Sequence, residues 1–183
     1  MVYTNRMCLD CAARNRGTCC ELKEHYLPLT IDDINRILSL GYKLEDFAAV
    51  LFLSGEDLKG EEEWWIKRMV VKDGKHLVLV MKTSNHGCVM LKKGIGCSIG
   101  EHRGTMCRLF PFWMDSHGKI TYLDDFCELS KTKLTKGSFK KIGETQEKVS
   151  ELYKALRDDT IKNMAKHREL IEFLLKKGCL AKS

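Results

Sequence analysis

Cys8 and Cys11 stand as C-x2-C, the spacing at which one tight turn brings two thiolates to an ion about 2.3 Å from each sulfur. Cys19 and Cys20 are adjacent. Neighbouring side chains diverge in extended backbone, so this pair serves two sites, or one site through a local distortion. Cys88, Cys97 and Cys107 follow in GCVMLKKGIGCSIGEHRGTMCRLFPF, and Cys127 comes after them. Gly87, Gly94, Gly96, Gly100 and Gly104 surround the first three, which lets backbone wrap closely and aim N–H groups at sulfur. Four cysteines in each half is the arithmetic of one or two metal centres. A thiolate-only donor set suits zinc and iron–sulfur clusters alike, so the ligands do not choose the metal.

Two plainer uses of cysteine compete with ligation. As small buried hydrophobes, cysteines need not share turns, glycines and spacing. Disulfides belong to oxidising compartments and to chains too small for a core, and 183 residues at 44% hydrophobic can build one. The polar start MVYTNRMCLDCAARNRG shows no secretory signal, and FAAVLFLSG, the longest nearly uncharged apolar stretch, is too short to span a bilayer. The expected location is therefore cytoplasmic, where disulfides are rare outside hyperthermophiles. The formal charge of +6 counts every cysteine as a neutral thiol. Eight thiolates on two divalent ions contribute about −4, which leaves little basis for nucleic-acid binding.

The full order is C-x2-C, then CC, then LTIDDINRI, then C-V-x-L-x5-C-S-I-x3-R-x3-C-R-x-F-P-F, then a last cysteine. This resembles the YkgJ-type cysteine-cluster proteins, described as zinc- or iron-chelating or as iron–sulfur proteins, over residues 8–127. The resemblance implies that Cys8, Cys11, Cys19, Cys20, Cys88, Cys97, Cys107 and Cys127 are metal ligands. It also implies that Arg103 and Arg108 are cofactor-binding residues beside them. An arginine there offsets the negative charge of a tetrathiolate centre and can donate to sulfur, or it can hold an anionic substrate. The family description further implies an iron–sulfur cluster of the 4Fe-4S kind, used for electron transfer or to support a partner protein, with zinc as the alternative. Flagellin lysine N-methylases are similar to the family in their cysteine region, so an enzyme acting on protein lysine is a further alternative. Whether the chain is an enzyme stays open. Two positions depart from the family pattern: Gly100 stands where a tyrosine is usual and Gly104 where a proline is usual, and both loosen the loop without removing a ligand.

The remaining reactive residues read more simply. Cys179 lies outside the motif and is expected to be a packing or exposed thiol. His86 and His102 are neighbours of ligands rather than ligands, and His25, His76, His117 and His167 have no evident partners. Trp64, Trp65, Phe110, Phe112 and Trp113 are expected in the core rather than as a stacking surface for bases. The run KTKLTKGSFKK is a solvated linker or helix entrance. No Walker loop, no G-x-G-x-x-G and no C-x3-C-x2-C is present.

The elements that must position these residues belong to an α+β fold, with short helices, two hairpin-like strand pairs and a long C-terminal helix or helix pair. One domain spans 1–183, with the cysteine-cluster region at 8–127 and the helical segment at 138–177. Residues 1–20 lack helical or strand period and read as a metal-organised loop. Thr30 with Asp33 three residues on, before Ile31, Ile34, Ile37 and Leu38, predicts a capped helix ended by Gly41. Residues 44–53 show helical spacing and predict a second helix, before an exposed acidic loop. Strands are expected over 64–71 and 76–83 around Asp73-Gly74. A second pair is expected around the turn DSHG, its first strand irregular because of Pro111. The apolar stripe of 138–177 predicts one helix, or two breaking near Asp158-Asp159.

Overall fold

The computed structural model describes residues 26–59, 62–84, 87–92, 96–115, 117–123, 127, 129–141 and 144–181. The 1–20 loop with Cys8, Cys11, Cys19 and Cys20, and also His25 and His86, lies outside the described residues.

Helix α1 (Ile31–Leu38) starts where the capping signal puts it. Thr30 Oγ1 accepts from Asp33 N–H (3.0 Å) and Asp33 Oδ2 accepts from Thr30 N–H (3.1 Å). The second predicted helix is corrected: only α2 (Leu44–Phe47) is helical, and β1 (Ala48–Leu53) follows at once. A run that is apolar at almost every position carries no period to separate strand from helix, and AAVLFL is buried on both faces. A 3₁₀ turn (Glu56–Leu58) lies within the acidic stretch and buries Leu58.

The first hairpin is shorter than its aromatic and β-branched residues predict. Trp64 and Trp65 belong to α3 (Glu63–Lys67), and only β2 (Val70–Lys72) pairs with β3 (Lys75–Met81). The turn is read correctly: Asp73 (φ 51°) and Gly74 (φ 71°) both take the left-handed conformation of a two-residue hairpin loop. Strands β1, β3 and β2, in that order, form an antiparallel sheet with Ala48 opposite Met81 and Leu53 opposite His76.

This sheet separates two cores. Ala49, Leu51, Leu53, Val78 and Val80 face one, while Ala48, Val50, Leu77, Leu79 and Met81 face the other. Alternation of side chains along each strand produces the division. The second core is closed by Ile31, Ile34 and Ile37 of α1 and by Ile171 and Leu174 of the last helix. Beyond β1, residues 179–181 run parallel to it, with Val50 N–H donating to Cys179 O and Ala181 N–H to Val50 O (both 2.9 Å). This blunts an otherwise open sheet edge.

Next come paired two-residue strands, β4 (Thr83–Ser84) with β5 (Gly87–Cys88) and β6 (Leu91–Lys92) with β7 (Gly96–Cys97). A 3₁₀ turn (Gly100–His102) leads into α4 (Thr105–Leu109). The second predicted strand pair is present as β8 (Phe112–Met114) with β9 (Ile120–Tyr122), and a cis peptide joins Phe110 to Pro111 at its entrance. The C-terminal helical segment is divided into α5 (Lys136–Lys141), α6 (Gln146–Lys162) and α7 (Met164–Lys176). The break falls at Asn163, whose backbone leaves the helical region at φ −109° and ψ 21°; Asp159, four residues earlier, stays within α6 and is occupied in packing. Its Oδ2 accepts from Ile31 N–H (2.8 Å) and its Oδ1 from Asn163 Nδ2 (2.7 Å). The α6 helix thereby caps the start of α1. The lysine-rich run is linker only over its first part; its second half is α5 itself, with Ser138 and Phe139 buried.

The aromatics pack inward. Trp64, Trp65, Trp113 and Tyr153 meet edge to face at centroid separations of 5.0–6.2 Å, tying α3, β8 and α6 together. Tyr153 Oη donates to Glu62 Oε1 (3.0 Å). Arg68, buried at 1% exposure, lays its guanidinium 3.8 Å from the centre of the Trp65 ring.

His167 on α7 is equally buried, and desolvation, with Arg68 adding to it, lowers its pKa to about 3. The folded state therefore holds this imidazole neutral while the unfolded chain protonates it near pH 6.5. Stability from this residue is complete above pH 6.5 and is lost as pH falls toward 3. Between pH 7 and pH 5 the expected loss is about 2 kcal/mol, absent in His167→Leu. Urea unfolding of the two proteins at both pH values checks it, and equal losses would refute it.

Candidate metal centre

Four of the eight candidate cysteine ligands are described, and the sheet sorts them. Cys88 and Cys97 pack at the margin of the core closed by α1 and α7. Cys127, 8% exposed, belongs to the opposite core, together with Met106 and Leu109, the residues on either side of Cys107 and Arg108 in α4. Cys88 and Cys97 thus lie with one core and Cys127 with the other. Among the described residues, no group of three or more His, Cys, Asp or Glu is placed to hold a metal ion.

Cys88 and Cys97 are presented by one device used twice. Each ends a two-residue strand, and each follows a glycine in the left-handed region, Gly87 at φ 96° and Gly96 at φ 98°. A side chain at either glycine would strain that turn. Next in sequence, Val89 N–H donates to Lys82 O (3.1 Å) and Ser98 N–H to Met90 O (2.7 Å). Both thiols are half-buried. The glycines around these cysteines in the sequence are what permit this device. The donors fit a thiolate-bound metal or cluster in chemistry, since soft sulfur on close-turning backbone is what such centres use.

The helix carrying Cys107 is held by α1. Asp33, wholly buried, accepts from Thr105 N–H (2.9 Å) and Thr105 Oγ1 (2.8 Å) while closing the capping box of α1 and pairing with Arg36. The LTIDD segment thus does more than start a helix, a role that local sequence patterns do not reveal. Gly104 lies over this carboxylate, where a Cβ would sit 3.6 Å from Asp33 Oδ2, an ordinary contact.

The two departures from the family pattern separate here. Gly100 has φ 51°, so its glycine relieves a left-handed residue. Gly104 has φ −55° and ψ 152°, with Arg103 also extended before it, and this is backbone that proline already favours. Gly104→Pro is expected to raise stability by about 0.4–1 kcal/mol through the unfolded state. A higher urea midpoint at unchanged slope would show it; a lower midpoint would contradict it.

Arg103 and Arg108 are half-buried and share a cleft of about 350 Å³ with Glu101, His102, Glu144 and Lys148. His102 therefore lies in this cleft, beside the cysteine region. Cys179 is half-buried against the second core, as a packing thiol.

Residues 7–128 match the family described as CxxCxxCC, "Putative zinc- or iron-chelating domain". The chain belongs to this family. The match takes in the eight motif cysteines, both arginines, Asp33 and the paired Gly-Cys strands, and it leaves out α5, α6 and α7. No curated protein and no solved structure matches the chain. As a member of this cysteine-cluster family the protein is metal-binding, with zinc and iron both within the family's description. Among the described residues no helix is long and apolar enough to cross a membrane.

Proposed function

We propose that the protein carries iron–sulfur chemistry, its eight motif cysteines holding 4Fe-4S clusters that pass single electrons or support a partner protein. The observation that carries this reading is the twice-used Gly-Cys strand end, which sets two half-buried thiols on close-turning backbone. Cys8, Cys11, Cys19 and Cys20 would complete the donor sets with Cys88, Cys97, Cys107 and Cys127. Such a cluster supplies reversible one-electron transfer, at a potential tuned by N–H donors and by burial.

This chain's own residues set the surroundings. Asp33 orients α4 and with it Cys107, and Arg108 stands next in the chain, where its charge offsets that of the thiolates.

Purification without oxygen, followed by visible absorbance and counting of iron, sulfide and zinc, tests the reading. The expected protein is brown and bleaches on reduction, with iron and sulfide in equal amounts. A colourless protein with stoichiometric zinc would replace it with closed zinc sites that hold the fold together.

A further inference from the structure

The positive charge of this chain lies beyond the family match. Residues 129–183 carry 14 Lys and Arg against 7 Asp and Glu, a larger excess than the +6 of the whole chain. Five of those lysines fall within 131–141, with no Asp or Glu between Glu128 and Glu144. The fold turns this run into a fixed surface. Ser138 and Phe139 of α5 are buried, and the Phe139 ring lies 4.6 Å from that of Phe112, which leaves Lys133, Lys136, Lys140 and Lys141 exposed. Lys119, just before β9, shares a cleft of about 290 Å³ with Lys136. Among the described residues none of these lysines is held in an ion pair. Two neighbouring carboxylates are engaged by backbone. Asp115 accepts from the N–H of Lys119 (2.9 Å), while Glu147 is held first by its own N–H and then by Thr145, with Lys136 acting on it least.

The inner lining of the cleft is apolar: Ile120 and Phe139 are buried there and Leu134 is half-buried. An apolar pocket rimmed by charge is the anatomy of a protein-docking site, where one anchoring side chain is buried and the rim steers approach. Nucleic acid is the poorer match. The cations are all lysines, without the forked geometry of arginine, and Phe112 and Phe139 are buried rather than offered for stacking.

We propose that this face docks an acidic segment of a partner protein, with one large apolar side chain in the cleft and carboxylates set against Lys119, Lys133, Lys136 and Lys140. The face adjoins the cysteine region: Ser130 N–H, at the head of the lysine run, donates to Cys127 O (2.9 Å), and Phe139 shares a core with Cys127. Docking does not depend on the iron–sulfur reading; only its meaning, bringing a partner to a redox centre, rests on it.

Fluorescence anisotropy of a labelled peptide, Asp-Glu-Glu-Phe-Glu-Glu-Asp, titrated with the metal-loaded full chain at low salt, tests the proposal. Saturable binding is expected, weakening as salt rises. The same peptide with Ser in place of Phe should bind roughly tenfold more weakly, the value of one buried apolar side chain. Lys136→Glu and Lys140→Glu should each weaken binding several-fold, while Lys176→Glu, on α7 against the opposite core, leaves it unchanged. All three lysines are exposed, so metal content and circular dichroism should match the parent in every variant. No saturable binding, equal binding of the two peptides, a loss at Lys176→Glu as large as at Lys136→Glu, or tighter binding of an oligothymidylate would each overturn the proposal. A colourless, zinc-loaded protein that binds the peptide in this pattern would uphold the docking face and sink the iron–sulfur reading. Brown protein indifferent to the peptide would do the reverse.

Discussion

Asp33→Ala is expected to destabilise the protein by about 3 kcal/mol and to lower its metal content at the same time. The carboxylate is wholly buried and accepts from Thr30 N–H, Thr105 N–H and Thr105 Oγ1, and it pairs with Arg36. Its removal strands buried donors on two elements at once. Loss of an N-cap interaction alone costs about 1 kcal/mol, and each buried donor left without its acceptor adds about 1–3 kcal/mol. Relaxation and water entry reduce the sum. Loosened α4 would carry Cys107 away from its place, so the metal readout follows the stability readout. Asp33→Asn keeps an acceptor but loses charge, and should fall between. Asp32→Ala, on the exposed side of the same turn, should change stability by less than about 0.5 kcal/mol. Chemical unfolding with metal counting on the three variants checks the set. A cost below about 1 kcal/mol for Asp33→Ala, or full metal at full destabilisation, would show that Asp33 does not position α4.

Single Cys→Ser substitutions should sort by face of the sheet. Cys88→Ser and Cys97→Ser are expected to remove the same half of the bound metal, roughly, and Cys127→Ser the other half. The reason is the strand alternation that puts Cys88 and Cys97 against one core and Cys127 in the other. A double change at Cys97 and Cys127 should then empty the protein. Serine is nearly isosteric with cysteine but is not a thiolate at neutral pH, so metal loss is the direct effect and unfolding a consequence. Metal content per chain and cluster absorbance measure both. If every single variant lost all its metal, the cysteines would serve one centre, and the adjacent Cys19-Cys20 pair would need the local distortion that lets both reach it.

The local signals that proved right share a short physical range. Thr30 with Asp33, Asp73-Gly74 and the turn at Asp115 each act within four residues, through a side chain bonding nearby backbone or a left-handed turn. They were legible because nothing distant competes with them. The errors fell where burial decides. Residues 48–53 became a strand because a two-sided core rewards apolar residues at every position, and Trp64 and Trp65 became helical while remaining in the core. The helix runs on through Asp159 to Asn163, and the Asp159 carboxylate accepts from Ile31, 128 residues away.

By itself, the sequence determined the donor chemistry: eight thiols, spaced and set among glycines as ligands are, in a chain large enough not to need disulfides. Thiol identity and turn propensity are properties of neighbouring residues and need no fold to be read. The tertiary structure decided which core each of three thiols packs against, Cys88 and Cys97 with one and Cys127 with the other. It also decided what holds them, since Asp33 bonds Thr105 across 72 residues, and it brought Lys148 to the two arginines. Such contacts arise from packing two cores against one sheet, a long-range condition that no local spacing encodes.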